Sequence, residues 1–173
     1  MYKLVELNMN MGLEEYKMYQ DIPLKESGST NLCYGLPFNV FKNFLETQMA
    51  RKYQSVSLYD TPTIIYIMYV DDIPIGYIGL RTEIDDNWKK WSGNLFYVIR
   101  KSFRGKGYGN KILELGLDEF RKMNYKEVYC QSSSNNIYSS KVIENNGGIL
   151  IDEVNGTRYY KINLWGVIWI MYI

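Results

Sequence analysis

The chain has 173 residues, 46% of them hydrophobic, with 20 basic and 19 acidic side chains and a formal charge of +1. That length and apolar content suffice for one sizeable core, so one globular domain over 1–173 is expected. The balanced charge supplies no electrostatic surplus for coating nucleic acid, and the lack of any histidine removes the commonest general base, the commonest metal ligand and every Ser–His or Cys–His nucleophile.

Residues 3–7 read as a short strand and 11–20 as a helix. Glu6, Glu14 and Glu15 interrupt the apolar residues here, so the stretch lacks the continuous apolar core of a signal peptide. Residues 21–37 carry Pro, Gly, Ser, Thr and Asn and read as a long loop of the kind that often has a function. Phe41, Phe44, Leu45, Gln48 and Met49 recur at helical spacing, which predicts a second helix over 38–52 with a core-facing stripe. The β-branched and aromatic run 63–70, the turn Asp71-Asp72 and the alternating run 75–82 predict a hairpin.

A polar loop, whose edge carries Trp88, Lys89, Lys90 and Trp91, leads to a strand over 95–100, an amphipathic helix over 107–124 and a strand over 128–131. Strand, helix and strand in that order imply a right-handed parallel crossover. A short helix over 137–145 ends at Gly147-Gly148, and 149–154 and 157–164 form a hairpin about an Asn155-Gly156 turn. The tail 165–173 is strongly apolar and too short to cross a bilayer as a helix. It is suited to adding a strand or covering an interface, so a homodimer is among the expected assemblies. No other run approaches the ~18 apolar residues of a membrane span. Cys33 and Cys130, the only cysteines, offer neither a disulfide framework nor metal spacing, which fits a reducing cytoplasm. No metal site is expected.

The segment 98–110, V-I-R-K-S-F-R-G-K-G-Y-G-N, turns an apolar strand through a basic, glycine-rich corner into a helix. Gly105, Gly107 and Gly109 let backbone N–H groups approach a ligand, the helix start adds partial positive charge, and Arg104 and Lys106 add full charges. This is an arrangement for phosphate. It lacks the third glycine of a dinucleotide fingerprint, where Asn110 stands, and the Gly-Lys-Ser/Thr end of a nucleotide-hydrolase loop, where Gly109-Asn110-Lys111 stands.

The run R-G-K-G-Y-G resembles the pyrophosphate loop of the GNAT superfamily of N-acetyltransferases, whose pattern is Gln or Arg, any two residues, Gly, any residue, Gly or Ala; here it falls on Arg104, Gly107 and Gly109. Asn136-Ile137-Tyr138-Ser139, followed by a short helix and Gly147-Gly148, resembles the family's next motif. The resemblance implies an α/β (α+β) fold: a central mixed sheet of about six to seven strands with splayed parallel central strands, flanked by about four helices. It implies acetyl-coenzyme A as donor, held by Val98, Ile99 and Arg100 along the strand, by Arg104, Gly105, Lys106, Gly107, Tyr108 and Gly109 around the pyrophosphate, by Asn110 at the helix start, and by Asn136 and Ser139. Ile99 would bond the pantetheine through its backbone.

The family's proton-donating tyrosine would fall seven residues after Asn136, where this chain has Ile143. Tyr97 and Ser139 are the candidates for the missing acid, with solvent as a further source. For the base, Glu83 at the end of a hairpin strand stands ahead of Asp85 and Asp86, and Asn94 and Arg81 are candidate acceptor-site residues. Asn136 reads equally as the cap of its helix, and Cys130 as a small buried residue. The expected activity is transfer of an acetyl group to a primary amine, small or peptidic, by direct attack in a ternary complex, without nucleic acid or membrane as partner. A non-catalytic acyl-coenzyme A sensor and a nucleic-acid or protein interaction domain are the rival readings.

Overall fold

A computed structural model describes residues 1–26, 29–53 and 61–165, with backbone alone at 90 and 91. The tail at 166–173, expected to add a strand or cover an interface, lies outside the described residues.

β4 (Thr63–Val70) and β5 (Ile73–Arg81) form the expected hairpin, joined at Asp71 and Asp72, both with positive φ as a tight two-residue turn requires. β1 (Tyr2–Glu6) pairs with β4, and β6 (Leu95–Ile99) with β5, all antiparallel, giving the order β1-β4-β5-β6. β4 is apolar almost throughout because both of its faces are covered. Tyr66 and Met68 enter one core with Ile112, Leu113, Leu117 and Phe120 of α4 (Tyr108–Lys122) and Ile143 of α5 (Ile137–Asn145). Ile65, Ile67 and Tyr69, on the alternate face, enter a second core with Met18 and Tyr19 of α1 (Leu13–Gln20) and Phe41, Phe44 and Leu45 of α2 (Phe41–Ala50). The stripe predicted on α2 is therefore core, and a short 3₁₀ turn (Phe38–Val40) precedes it.

A second antiparallel sheet follows, in the order β7-β9-β8, from β7 (Glu127–Ser133), β8 (Gly148–Val154) and β9 (Thr157–Asn163). The expected single mixed sheet of six to seven strands is, among the described residues, divided into antiparallel sheets of four and three strands, apart from a small two-stranded hairpin. β6 and β7 advance in parallel across the gap between the sheets without sharing a ladder among the described residues. They touch at one joint: Asn94 N donates to Tyr129 O (2.6 Å) and Tyr129 N to Asn94 Oδ1 (2.8 Å). Gly93 permits the contact, since a Cβ there would lie 2.4 Å from Tyr129 O.

Two expected loops hold structure. Asp85 accepts from Trp88 N at 2.8 Å and so caps a fifth helix, α3 (Asp86–Trp91). Within 21–37 lies a small hairpin, β2 (Lys25–Glu26) with β3 (Ser29–Thr30). Trp165 donates from Nε1 to Tyr125 O at 2.8 Å, on the β7 side of the second sheet.

Candidate functional site

Where β6 and β7 part, a cleft of about 1150 Å³ opens between the two sheets and runs to the start of α4. The main chain of β6 lines it. Arg100 N donates to Ile75 O, which turns the main-chain groups at 96, 98 and 100 toward β5; the two-residue period of a strand turns those of Leu95, Tyr97 and Ile99 into the cleft. Ile99 O already accepts there from Arg104 Nε at 2.8 Å.

At the outer end of the cleft the chain makes an anion cradle. Gly105 and Gly107 hold φ of +74° and +81°, a conformation costly for other residues, and neither position has an atom within 4 Å of where a Cβ would lie, so the backbone faces open space. Gly107 is the N-cap of α4, whose first turn carries no acidic residue, leaving the first N–H groups and the positive end of the helix dipole turned to the cleft. A pyrophosphate fits this chemistry. Arg104, Gly105, Gly107, Tyr108, Gly109 and Asn110 all line the cleft. Lys106 does not; it is exposed, its Nζ lying 5.2 Å from the centre of the Phe103 ring. Arg100 is also turned away, its Nε on Asp21 Oδ2 at 2.7 Å.

The two sequence motifs meet. Asn145 Nδ2 donates to Asn110 Oδ1 at 3.2 Å, and the Cβ position of Gly109 is 3.2 Å from Val142 Cγ2, so α5 docks closely on the first turns of α4. Ser132 and Ser140 share a 2.9 Å hydrogen bond that fixes α5 to β7. Asn136 lines the cleft and also caps α5, its Oδ1 accepting from Ser139 N at 3.1 Å.

Midway along the cleft, Tyr97 Oη and Ser139 Oγ lie 3.2 Å apart, joining β6 to α5. Burial pushes the Tyr97 phenol up to about 12, which the hydrogen bond with Ser139 partly offsets. Ile143 is buried in the core, and Tyr138, although 86% exposed, also lines the cleft. Burial likewise pushes the Cys130 thiol in the cleft wall up to about 12, which leaves no thiolate near neutrality.

The acidic candidates lie elsewhere. β5 runs antiparallel to β6, so its end is beside the joint, and Glu83 is exposed there, outside the cleft, its carbonyl accepting from Thr61 Oγ1. Asp85 caps α3 and Asp86 pairs with Lys89. Asn94 is the joint itself, and Arg81 Nη1 donates to Ser92 O and Gly93 O behind it. The sequence gives no sign of Glu26, which lines the cleft from β2. Among the described residues no group of His, Cys, Asp or Glu is placed to hold a metal, and no helix is long and apolar enough to cross a membrane.

The sequence matches the family model of the acetyltransferase (GNAT) domain over residues 41–149, more than half of the chain. The chain belongs to the GNAT family. It is therefore an acyltransferase, and solved structures share its fold. A chimera of the spermidine N-acetyltransferase SpeG from Vibrio cholerae and hSSAT is 15% identical, with a TM-score of 0.63, covering 94% of this chain and 95% of that one. The microcin C7 self-immunity acetyltransferase MccE, in complex with acetyl-CoA and AMP, is 15% identical with a TM-score of 0.67 over 94% of this chain and 92% of that one. The N-acetyltransferase PseH of Campylobacter jejuni, in complex with acetyl coenzyme A, is 14% identical with a TM-score of 0.62 over 94% and 99%. At such identities the likeness is one of fold. No sequence of a curated protein matches this one.

Proposed function

We propose that this GNAT protein acetylates a primary amine, taking the acetyl group from acetyl-coenzyme A by direct attack within a ternary complex. The observation that carries the reading is the continuity of one cleft from the glycine cradle at the start of α4 to the Tyr97–Ser139 pair. Neighbouring folds solved with acetyl-CoA, and one named for spermidine acetylation, support it.

The bound thioester supplies an activated acyl group. The chain supplies alignment and hydrogen bonds. Backbone N–H groups of 105–109 and the α4 dipole hold the pyrophosphate, with Arg104 adding charge. Main-chain groups of Leu95, Tyr97 and Ile99, unpaired with β7, bind the pantetheine arm and polarise the reacting carbonyl. The Tyr97 hydroxyl, protonated across the physiological range and bonded to Ser139, donates a proton toward the departing sulfur. The amine enters neutral and gives its proton to water in the open cleft, a route that needs no carboxylate at Glu83.

Calorimetry with acetyl-coenzyme A and a thiol-release assay with a panel of primary amines test this. Micromolar donor binding and amine-dependent thiol release are expected; absence of donor stabilisation at concentrations well above micromolar overturns the reading.

A further inference from the structure

Among the described residues, the cations lining the cleft are Arg104 and Lys141. Arg104 is engaged on two sides, its Nε on Ile99 O at 2.8 Å and its Nη2 3.3 Å from Glu26 Oε2. Lys141 is exposed, and no hydrogen bond or ion pair to a described residue holds its ammonium. Its place is set by the helix that carries it. Val142, the next residue, meets the Cβ position of Gly109 at 3.2 Å; Asn145, one turn on, donates to Asn110 Oδ1 at 3.2 Å, and Asn146 Nδ2 donates to Asn110 O at 3.4 Å. Lys141 thus stands beside the first turn of α4. The one acid of α5, Glu144, is occupied elsewhere, accepting from Tyr160 Oη at 3.1 Å. Other cations near the cradle are turned to other tasks: Lys111 Nζ pairs with Glu114 at 2.7 Å, Arg100 Nε with Asp21 at 2.7 Å, and Lys106 lies by the Phe103 ring outside the cleft.

A pyrophosphate held by the glycine cradle has two arms. The thioester arm must run inward along β6 to reach Tyr97, so the nucleoside arm leaves the other way, over the start of α4 where α5 docks. That arm carries a third phosphate, a monoester on the 3′ oxygen of the ribose, with close to two negative charges near neutrality. Resting on the acetyl-transfer reading above, we propose that Lys141 recognises the 3′-phosphate of coenzyme A, so that the donor is selected at its nucleotide end as well as at its pyrophosphate. An ammonium on a flexible stem suits a phosphate that faces solvent, because it can follow the group without a fixed geometry. The contact lies away from the reacting carbonyl and acts alike on bound donor and transition state, so it lowers the KM for the donor and leaves kcat nearly unchanged. A thioester that lacks the 3′-phosphate forgoes it.

The test is calorimetry with coenzyme A and 3′-dephospho-coenzyme A on the wild type, Lys141→Gln and Lys141→Arg. At low salt the wild type binds coenzyme A about fivefold more tightly than the dephosphorylated form, and the preference shrinks as salt rises. Lys141→Gln removes most of that preference by weakening coenzyme A while 3′-dephospho-coenzyme A binds as before, and Lys141→Arg, which keeps the charge, keeps the preference. In turnover, Lys141→Gln raises the KM for acetyl-coenzyme A by the same factor at constant kcat. Equal binding of the two ligands by the wild type, a preference that survives in Lys141→Gln, or a variant that loses both ligands alike would overturn the proposal and leave acetyl-coenzyme A as the donor. A folded wild type that binds neither ligand would overturn both readings. A preference that depends on Lys141, with no acetyl transfer to any amine, would remove the transfer reading and leave the phosphate site standing.

Discussion

At the scale of single residues, the proposed mechanism turns on one hydroxyl, because the position seven residues after Asn136, where the resemblance places a tyrosine, holds Ile143 in the core. Under that proposal the proton comes instead from Tyr97, in contact with Ser139. Tyr97→Phe removes the donor while keeping the ring, so kcat falls at least about tenfold with the affinity for acetyl-coenzyme A nearly unchanged, and Ser139→Ala gives a smaller loss in the same direction. Steady-state rates and donor calorimetry on the same samples check both. Burial raises the Tyr97 value from its ordinary 10 to about 12. The folded state therefore holds this proton more tightly than the unfolded chain does, and its contribution to stability is whole below pH 10 and lost as pH rises toward 12. Each hydroxyl was legible in the sequence separately, Tyr97 from its strand and Ser139 from its helix face. Their meeting was not, because it depends on how far α5 swings over β6. Glu26 was illegible for a plainer reason: one acid in a polar loop carries no periodic signal.

At the scale of elements, local chemistry predicts most of what is seen. The Asn155-Gly156 turn, with φ of +51° and +77°, forms its hairpin as the residues demand. The helix over residues 137–145 has the bounds its pattern implies, because Asn136 stops it at one end and the Gly147-Gly148 pair at the other. The two structured stretches that the sequence left as loops, α3 and the β2–β3 hairpin, are too short for a periodicity to show. Asn136 carries two roles that one pair of variants separates. Asn136→Ala loses the Oδ1 bond to Ser139 N and with it about 1 kcal/mol. Asn136→Asp caps equally well, so its melting temperature returns to that of the wild type, and acetyl-transfer activity returns with it if the cap's task is to hold Ser139 beneath Tyr97. A variant that melts normally and still binds acetyl-coenzyme A poorly would show that the amide itself touches the donor.

At the scale of the whole molecule, the site exists because a sheet that might have been continuous is broken once. The strands and their order could be read from alternation and turn residues, yet the break could not, since strand partners are set by tertiary contact and nothing in 95–99 or 127–133 forbids a ladder. The substitute for that ladder is one side chain. Asn94, 3% exposed, gives its main-chain N–H to Tyr129 O, takes Tyr129 N on Oδ1, and donates from Nδ2 to Arg81 O at 3.3 Å, so one residue ends the four-stranded sheet and starts the three-stranded one. The angle at which β6 and β7 part is fixed there, and with it the width of the cleft along Tyr97 and Ile99. Asn94→Ala leaves the partly buried Tyr129 N–H without its acceptor and costs about 1 kcal/mol in urea unfolding. The same variant, assayed at a temperature where it is fully folded, should bind acetyl-coenzyme A several-fold more weakly, although Asn94 lies at the other end of β6 from the glycine cradle. Asn94→Asp keeps the acceptor for Tyr129 and loses the donor to Arg81, so it should fall between the two in both measurements. If Asn94→Ala kept full donor affinity while losing stability, the splay would be held by the docking of α5 on α4 and β7, and the joint would serve folding alone.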